Sequence, residues 1–261
     1  ELRVLGAHKL ETRDTRLTCL LVDGVLALDA GSLAGALTIE EQQRVGAILL
    51  THRHYDHTRD LPMLGMIAAN SGTVPVYSLA ETLQAVSAHL LDGMLYPDFT
   101  RVPSQEKPKY RLVEARPGVE EGVLGFTVLA LPVHHGPPSV GFEVRDAGGR
   151  GFFYSGDVGG QFESFWESTG TDLMVLEVTY PSRLESQAHR EGHLTPAFLE
   201  VELAKAFKIP RRNPDWSGSS RVLAVHLSPQ YEEEIRQELA QAASRLGIEI
   251  IVAREGMTLR L

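Results

Sequence analysis

Four side chains of the kinds that bind metal ions fall within six consecutive positions of this chain. The segment HRHYDH, residues 52–57, contains His52, His54, Asp56 and His57, although the whole chain has only 10 histidines in 261 residues. Imidazole nitrogens and carboxylate oxygens suit zinc, and they also suit manganese or iron. At a histidine frequency of roughly 4%, such a pattern arises by chance in about one chain per thousand. The spacing therefore indicates a metal site.

The elements on either side of this segment place its donors on a rigid base. An apolar run at residues 47–51 predicts a β-strand that ends at the cluster, and a helical segment follows it. His52 and His54 are two positions apart, so in an extended segment their side chains point to the same side. Asp56 and His57 follow directly and are better placed for a second, adjacent ion.

The rest of the chain alternates between short apolar runs and helical patterns. Aliphatic and β-branched runs bounded by Gly, Pro and Asp predict strands at residues 2–5, 18–23, 25–29, 45–51, 74–77, 123–131, 140–146, 151–155, 172–178, 221–226, 248–253 and 257–260. The spacing of apolar residues predicts helices at 38–44, 59–70, 79–91, 195–207 and 229–245. This order favours an α/β sandwich with the sheets inside and the helices outside. We expect a single domain over residues 1–261, in which the proline-rich stretch 92–120 is an irregular insertion.

The overall charge and hydrophobicity argue against some classes of partner. The formal net charge is −9, which disfavours an extended nucleic acid because its phosphates are usually met by an excess of Lys and Arg. No apolar run reaches the roughly 18–20 residues needed to cross a bilayer, and the first residues do not resemble a signal peptide. We therefore expect a cytoplasmic protein without a membrane partner, although a chain that starts at Glu1 could have lost a processed segment. The only cysteine, Cys19, is expected to be buried in a strand.

The motif HRHYDH resembles the His-x-His-x-Asp-His signature of the metallo-β-lactamase superfamily. The later ligands of that family have counterparts in this chain in the same order. The segment LPVHHGPPSVGF offers His135, which Ser139 follows at the family's spacing, with His134 as the alternative. The segment GFFYSGDVGG offers Asp157 after an apolar strand, and RVLAVHLSPQY offers His226 after a late strand.

The resemblance implies an αββα sandwich with two divalent metal ions, zinc in the first place and manganese or iron as alternatives. It implies seven metal ligands. His52, His54 and His135 would bind one ion, Asp56, His57 and His226 would bind the other, and Asp157 would bridge the two. A hydroxide held between two such ions attacks the substrate, so no serine or cysteine nucleophile is required.

A further histidine stands next to a predicted helix start. In REGHLTPAFL, Thr195 is typical of a helix N-cap and Pro196 of the first helical position. A helix N-terminus carries free N–H groups and partial positive charge, which suit a phosphate. We expect His193 to donate a proton to a departing oxygen or to bind phosphate charge, with Glu177 orienting it.

Two segments narrow the resemblance to phosphodiester chemistry. The segment GHLTP resembles the equivalent part of the class II 3′,5′-cyclic-nucleotide phosphodiesterases, and a related His-Ser-Thr element occurs in the tRNA 3′-processing endonucleases. The segment LYPDFT, residues 95–100, resembles another part of the class II enzymes, with Tyr96 in place of a tryptophan. Tyr96 and Phe99 could stack on a base.

The sequence therefore predicts a metal-dependent phosphodiesterase that hydrolyses 3′,5′-cyclic AMP or GMP to the 5′-monophosphate. The expected catalytic residues are Asp56, His193 and Glu177, and the expected substrate-binding residues are His193, Thr195 and Tyr96. The insertion lacks the basic, glycine-rich arm of a tRNA-processing enzyme, so a small nucleotide is the preferred substrate. The alternatives are a tRNA 3′-end endonuclease, another phosphodiesterase, or a metal- or nucleotide-binding protein without turnover. A homodimer is compatible with the sequence.

Overall fold

The computed structural model describes residues 1–67, 72–171, 173–208 and 221–261. Contacts within the chain divide it into two compact units, each of which contains one seven-stranded sheet. The first unit comprises residues 1–7, 11–116 and 254–260, and the second comprises residues 8–10, 117–253 and 261. The expectation of a single domain over residues 1–261 stays a prediction.

The described residues form fourteen strands and eight α-helices. The strands are β1 (Leu2–Gly6), β2 (Cys19–Val22), β3 (Leu26–Leu28), β4 (Ala47–Leu49), β5 (Val74–Ser78), β6 (Tyr110–Glu114), β7 (Glu120–Val123), β8 (Phe126–Val133), β9 (Ser139–Arg145), β10 (Gly151–Tyr154), β11 (Leu173–Glu177), β12 (Arg221–Val225), β13 (Glu249–Val252) and β14 (Thr258–Leu259). The helices are α1 (Ile39–Gln42), α2 (Tyr55–Thr58), α3 (Leu61–Ile67), α4 (Ala80–His89), α5 (Glu163–Trp166), α6 (Glu185–Glu191), α7 (Pro196–Ala206) and α8 (Glu232–Leu246). Short 3₁₀ helices at Ser182–Leu184 and Pro229–Tyr231 precede α6 and α8.

The sheet of the first unit brings two strand ends to the place where the metal motif begins. Its strand order is β14-β1-β2-β3-β4-β5-β6, antiparallel from β14 to β3 and parallel from β3 to β6. Parallel neighbours run in one direction, so β3 and β4 end at the same edge of the sheet. This edge carries Asp29, which follows β3, and residues 50–57, which follow β4.

The sheet of the second unit brings the ends of three strands together where the later site residues lie. Its strand order is β13-β12-β11-β10-β9-β8-β7, antiparallel from β7 to β10 and parallel from β10 to β13. Asp157 follows β10, Glu177 ends β11 and His226 follows β12. Because the three strands are parallel neighbours, these side chains come to one edge.

Each unit has its own apolar core. In the first unit Ile48, Val76 and Tyr110 are buried with the aliphatic residues of β2 and α3. In the second unit Phe153 stacks on Phe165 with ring centroids 4.7 Å apart, and the surrounding cluster includes the inner residues of β11, β12, α7 and α8. Burial of each such large apolar side chain stabilises the fold by roughly 1.5–3 kcal/mol. The two cores hold the strand ends, and with them the site residues, in place.

Most of the predicted elements are present, and one predicted strand is a hairpin. Each predicted strand region contains a strand, and Cys19 is buried in β2 as expected. The region predicted as one strand at 123–131 turns back at Leu124 and Gly125, whose φ angles are 52° and 87°. Two positive φ angles suit a two-residue hairpin turn. Leucine is uncommon in that conformation, which is why the turn has no clear sequence signal.

The other differences concern elements without an apolar period. The insertion expected at 92–120 is irregular up to Lys109 and then contains β6, the end strand of its sheet, and the first residue of β7. Helices α5 and α6 were not predicted, because α5 has four residues and α6 is mostly polar. The predicted helix at 59–70 corresponds to α3, but its residues 68–70 and the loop predicted at 211–220 lie outside the described residues. None of the helices described is long and apolar enough to cross a membrane.

Candidate metal centre

The four donors of the metal motif lie together in the first unit. His52 and His57 are fully buried, Asp56 is half-buried and His54 is exposed. The ring centroid of His52 lies 4.5 Å from that of His54 and 4.3 Å from that of His57. Nε2 of His57 lies 3.7 Å from Oδ2 of Asp56. The end of β4 and the start of α2 thus gather the nitrogen and oxygen donors that zinc and similar ions prefer.

The buried carboxylate of Asp29 orients two of these rings. It accepts a hydrogen bond from Nδ1 of His57 at 2.7 Å, and further bonds from the backbone N–H of Thr51 at 2.8 Å and the Thr51 hydroxyl at 3.0 Å. Because that hydroxyl donates to Asp29, it accepts the hydrogen of Nδ1 of His52 at 3.0 Å. Both imidazoles therefore carry their hydrogen on Nδ1 and their lone pair on Nε2, which is the form that binds a metal.

Asp29 was not identified as a site residue from the sequence, although a signal for it existed. It directly follows β3, whose parallel neighbour β4 leads into the metal motif. Its φ of 58° is in the left-handed region, which aspartate tolerates better than most residues. A carboxylate at the end of the neighbouring strand is the pattern that would have indicated a partner for the motif.

The second unit supplies further donors, and two histidines there lie close to the carboxylate of Asp157. Nε2 of His135 lies 3.7 Å from Oδ2 of Asp157, and Nε2 of His226 lies 3.5 Å from Oδ1 of the same residue. Each oxygen of this carboxylate thus faces a different histidine. Donor atoms of Asp157, His193 and His226 also lie within 4.8 Å of one another. The donor chemistry of this unit fits a divalent metal ion.

His134 and His135 differ in where their side chains lie. The His135 side chain is only 1% exposed and faces Asp157. His134 is exposed. The structure therefore places His135, the residue preferred from the sequence, with the other donors of the second unit.

The histidines of the second unit have the same tautomer as those of the first. Nδ1 of His135 donates to the backbone oxygen of Gly192 at 2.8 Å, since a carbonyl can only accept. Thr179 donates its hydroxyl hydrogen to Glu177 at 2.8 Å and lies 2.9 Å from Nδ1 of His226, from which it accepts. Burial lowers the pKa of His135 despite the nearby Asp157, so this ring stays in the neutral form that binds metals.

Glu177 and His193 form the pair that the sequence predicted. Nδ1 of His193 lies 2.8 Å from Oε1 of the fully buried Glu177. This carboxylate also accepts hydrogen bonds from the backbone N–H groups of Val158 and Leu194, both at 3.2 Å, and from Thr179. Burial alone would lower the pKa of His193, but the charge and hydrogen bond of Glu177 outweigh it, and the pKa is raised. The pair can hold a proton close to the donors of the second unit.

Thr195 lies where it was predicted, but its hydroxyl has a structural task. It caps α7 by accepting a hydrogen bond from the backbone N–H of Phe198 at 3.2 Å, and Pro196 is the first helical residue. The Thr195 side chain is buried. A direct contact of this residue with substrate stays a prediction.

Tyr96 lines a pocket in the first unit, whereas Phe99 does not. The pocket has a volume of about 340 Å³, and Tyr55, Met63 and Leu95 line it with Tyr96. Tyr55 is the first residue of α2, the helix that carries Asp56 and His57, so the pocket adjoins the metal motif. Phe99 is buried in the core against Tyr110, with ring centroids 6.1 Å apart, and is not placed to stack on a base.

Comparisons with known proteins relate most of the chain to one family. A sequence model described as the β-lactamase superfamily domain matches residues 18–227. Ribonuclease Z from Ignicoccus hospitalis is 22% identical over 244 aligned residues, covering 76% of this chain and 75% of that protein. The crystal structure of unliganded yeast PDE1 is similar with a TM-score of 0.81 and 18% identity, covering 98% of this chain and 97% of that one. The short form of human tRNase Z gives a TM-score of 0.63 and 19% identity, covering 99% and 98% of the two chains. At these identities, the structural likeness shows a shared fold.

Proposed function

Because the chain belongs to the β-lactamase superfamily and has its αββα sandwich fold, we propose that it is a metal-dependent phosphodiesterase that hydrolyses 3′,5′-cyclic nucleotides to 5′-monophosphates. Members of this superfamily are metal-dependent hydrolases. The observation that carries the choice of substrate class is the Glu177–His193 pair, in which Nδ1 of His193 lies 4.0 Å from Oδ2 of Asp157. An alkoxide is a poor leaving group and needs a proton, whereas a thiolate, whose acid has a pKa of about 8.5, needs one far less.

The proposal includes two divalent metal ions, with zinc as the first candidate and manganese or iron as alternatives. The proposed ligands are the seven side chains that the sequence indicated, His52, His54, Asp56, His57, His135, Asp157 and His226. When bound, the ions would supply positive charge for the phosphate oxygens and make a water molecule more acidic. The donor types and the shared Nδ1 contacts in each unit support this part of the proposal.

The protein's own groups have distinct tasks in this reaction. The half-buried carboxylate of Asp56 can accept a hydrogen bond from the attacking water and so orient it. His193 donates a proton to the 3′-oxygen as it leaves, and the ionised Glu177 keeps the ring in place and stabilises its charged form. These tasks need no covalent bond between the chain and the substrate.

In this proposal, the base of the nucleotide binds in the pocket beside α2. Its volume of about 340 Å³ is within the range of roughly 300–1,000 Å³ that is usual for small-molecule sites. Tyr55 and Tyr96 offer aromatic surface on which a purine can stack, with a stabilisation of about 1–3 kcal/mol. A net charge of −9 also favours a small nucleotide over a long polyanion.

The main alternative is an endonuclease that acts at the 3′ end of tRNA precursors. It is supported by the similarity to ribonuclease Z from Ignicoccus hospitalis and to human tRNase Z. The same metal donors and the same Glu177–His193 pair would serve that reaction, because it also expels a 3′-oxygen. The two candidates differ in the substrate that must be bound outside the metal centre.

The deciding experiment gives the protein, loaded with zinc or manganese, 3′,5′-cyclic AMP, 3′,5′-cyclic GMP and a precursor tRNA in separate reactions. Release of 5′-monophosphate with intact tRNA is the expected result. Cleavage of the tRNA alone would establish the alternative. Bound nucleotide without turnover would indicate a binding protein and would contradict both enzymatic functions. Asp157→Ala is the matched control, since any activity that survives it comes from a contaminating enzyme.

A further inference from the structure

The lysine at position 9 points its ammonium group at the proposed proton donor. The segment of residues 8–10 belongs to the second unit, where the backbone N–H of Lys9 donates to the oxygen of Leu227 at 3.0 Å. The ammonium nitrogen lies 2.9 Å from the hydroxyl of Tyr180, 3.0 Å from Oε2 of Glu191 and 3.4 Å from Nε2 of His193. The side chain is 22% exposed, so a ligand can reach it.

The hydrogen bonds around His193 show which group donates in its contact with Lys9. Its Nδ1 donates to Glu177, because that carboxylate already accepts from three other groups of the protein. An ammonium group has only hydrogens to offer, so Nε2 of His193 accepts from Lys9. A positive charge therefore lies at the nitrogen that the proposed function places next to the leaving oxygen.

We propose that Lys9 is a further substrate-binding residue, whose ammonium group binds an anionic oxygen of the substrate's phosphate next to His193. The inference deepens the proposed function and rests on it. The proposed contact is a hydrogen bond from the charged ammonium group of Lys9 to an anionic phosphate oxygen. It does not involve the ligands of the metal ions.

The unequal lengths of the three contacts support this role. Tyr180 and Glu191 bind the ammonium group at 2.9 and 3.0 Å, and Tyr180 itself donates to Glu191 at 2.6 Å, so these two residues fix its position. The contact with His193 is the longest at 3.4 Å and is therefore the weakest. An ammonium group attracts an anionic oxygen by opposite charge as well as by hydrogen bonding, whereas a neutral imidazole offers it only a lone pair. A phosphate oxygen can thus displace the neutral imidazole as the third acceptor. Nε2 of His193 is then free to take up a proton from solvent and to donate it to the leaving oxygen.

Two substitutions separate the charge of Lys9 from its packing. Lys9→Met keeps the length of the side chain and removes the charge, whereas Lys9→Arg keeps the charge. Lys205→Met is the matched control, because Lys205 also belongs to the second unit, is 54% exposed and pairs with a glutamate, Glu202, at 2.7 Å. All variants are measured as the full chain loaded with metal, and metal content is determined for each.

The readouts are the KM for bis(p-nitrophenyl) phosphate and the inhibition constants of inorganic phosphate, 5′-AMP and adenosine. We expect Lys9→Met to raise the KM and the constants for phosphate and 5′-AMP by about 10- to 100-fold, because one charge-assisted hydrogen bond is lost. Adenosine has no phosphate, so its constant should not change. Lys9→Arg should restore part of the phosphate binding that Lys9→Met loses, because it keeps the charge. Lys205→Met should remain within about threefold of the wild type.

Other results would contradict the role of Lys9, the proposed function or both. Unchanged phosphate and 5′-AMP binding in Lys9→Met would show that Lys9 does not contact the phosphate. Equal weakening of adenosine and 5′-AMP, or loss of metal in both Lys9 variants, would show a purely structural role. Hydrolysis of bis(p-nitrophenyl) phosphate without action on cyclic nucleotides would refute the proposed function while the phosphate readouts still test Lys9. If the wild-type protein had no phosphodiesterase activity, both the proposed function and the role of Lys9 would be refuted.

Discussion

At the scale of the residue, the histidines of both units are held in the same way. Nδ1 of His52, His57, His135 and His226 contacts an oxygen of the protein at 2.7–3.0 Å. These contacts fix the ring orientation and the tautomer, and they leave the lone pair on Nε2. Partners of this kind are as much a part of a metal site as the ligands, since their loss typically weakens metal binding about 10- to 100-fold.

The first residue-scale prediction concerns Asp29. Asp29→Asn should weaken metal binding about 10- to 100-fold, because an amide holds Nδ1 of His57 less strongly than a carboxylate does. Asparagine tolerates the positive φ at this position, so the fold should be retained. Competition with a fluorescent chelator measures the affinity. Asp23→Asn in the same unit is the control, and equal affinities for the two variants would show that Asp29 does not support the metal site.

The second residue-scale prediction concerns His193. His193→Ala should keep the full metal content and slow turnover by roughly 10²–10⁴-fold, because a positioned general acid contributes about that much. Elemental analysis and steady-state kinetics give the two quantities. His189→Ala removes an exposed histidine of α6 and should leave both unchanged. Loss of metal in His193→Ala would instead make His193 a ligand, together with Asp157 and His226.

At the scale of the element, the end of α6 positions two residues of the site. Gly192 ends this helix with a φ of 74°, and its backbone oxygen accepts the hydrogen bond from Nδ1 of His135. The next residue is His193. A Cβ atom at position 192 would lie 2.9 Å from Nδ1 of His135, which is closer than ordinary contact allows. The helix end therefore has room only for glycine.

The element-scale prediction follows from a comparison of two helix ends. Gly247 ends α8 with a φ of 67°, and a Cβ atom there would have nothing within 4 Å. Gly247→Ala should therefore cost only the backbone strain, about 1–2 kcal/mol of unfolding free energy. Gly192→Ala should cost at least as much and also displace His135, which lowers metal affinity. Denaturant unfolding and metal titration of both variants check this, and an undiminished metal affinity in Gly192→Ala would contradict it.

At the scale of the whole molecule, the proposed metal ions join parts of the chain that are far apart in sequence. The proposed ligands run from His52 to His226 in the sequence. A ligand that binds the folded state and not the unfolded one stabilises folding by mass action, by about 2.7 kcal/mol when it is present at 100 times its Kd. Metal binding should therefore be visible in the thermal stability of the whole chain.

The whole-molecule prediction is that a chelator lowers the Tm and that added zinc restores it. For a chain of this size, about 2.7 kcal/mol corresponds to a shift of roughly 5–10 °C. Scanning calorimetry with and without chelator measures the shift. The Asp157→Ala variant should show little of it. A wild-type Tm that does not respond to chelator would mean that no metal ion binds preferentially to the folded chain.

The sequence by itself determined the superfamily, the candidate donors and most strands. These features are local, because the spacing of His52, His54, Asp56 and His57 and the alternation of apolar residues can be read within a few positions. From the sequence alone, His135 could only be preferred to His134 as the candidate ligand, because the choice depends on which of the two side chains is buried.

Only the tertiary structure decided which groups hold the donors and which lysine lies at His193. Asp29 and His57 are 28 positions apart, Thr179 and His226 are 47 apart, and Lys9 and His193 are 184 apart. Asp29 and His57 meet because β3 and β4 end at the same sheet edge, and Thr179 and His226 meet because β11 and β12 do. Lys9 is held near His193 by the hydrogen bond of its backbone N–H to Leu227. No local pattern encodes such a meeting, since it arises from strand order and from the packing of the two cores.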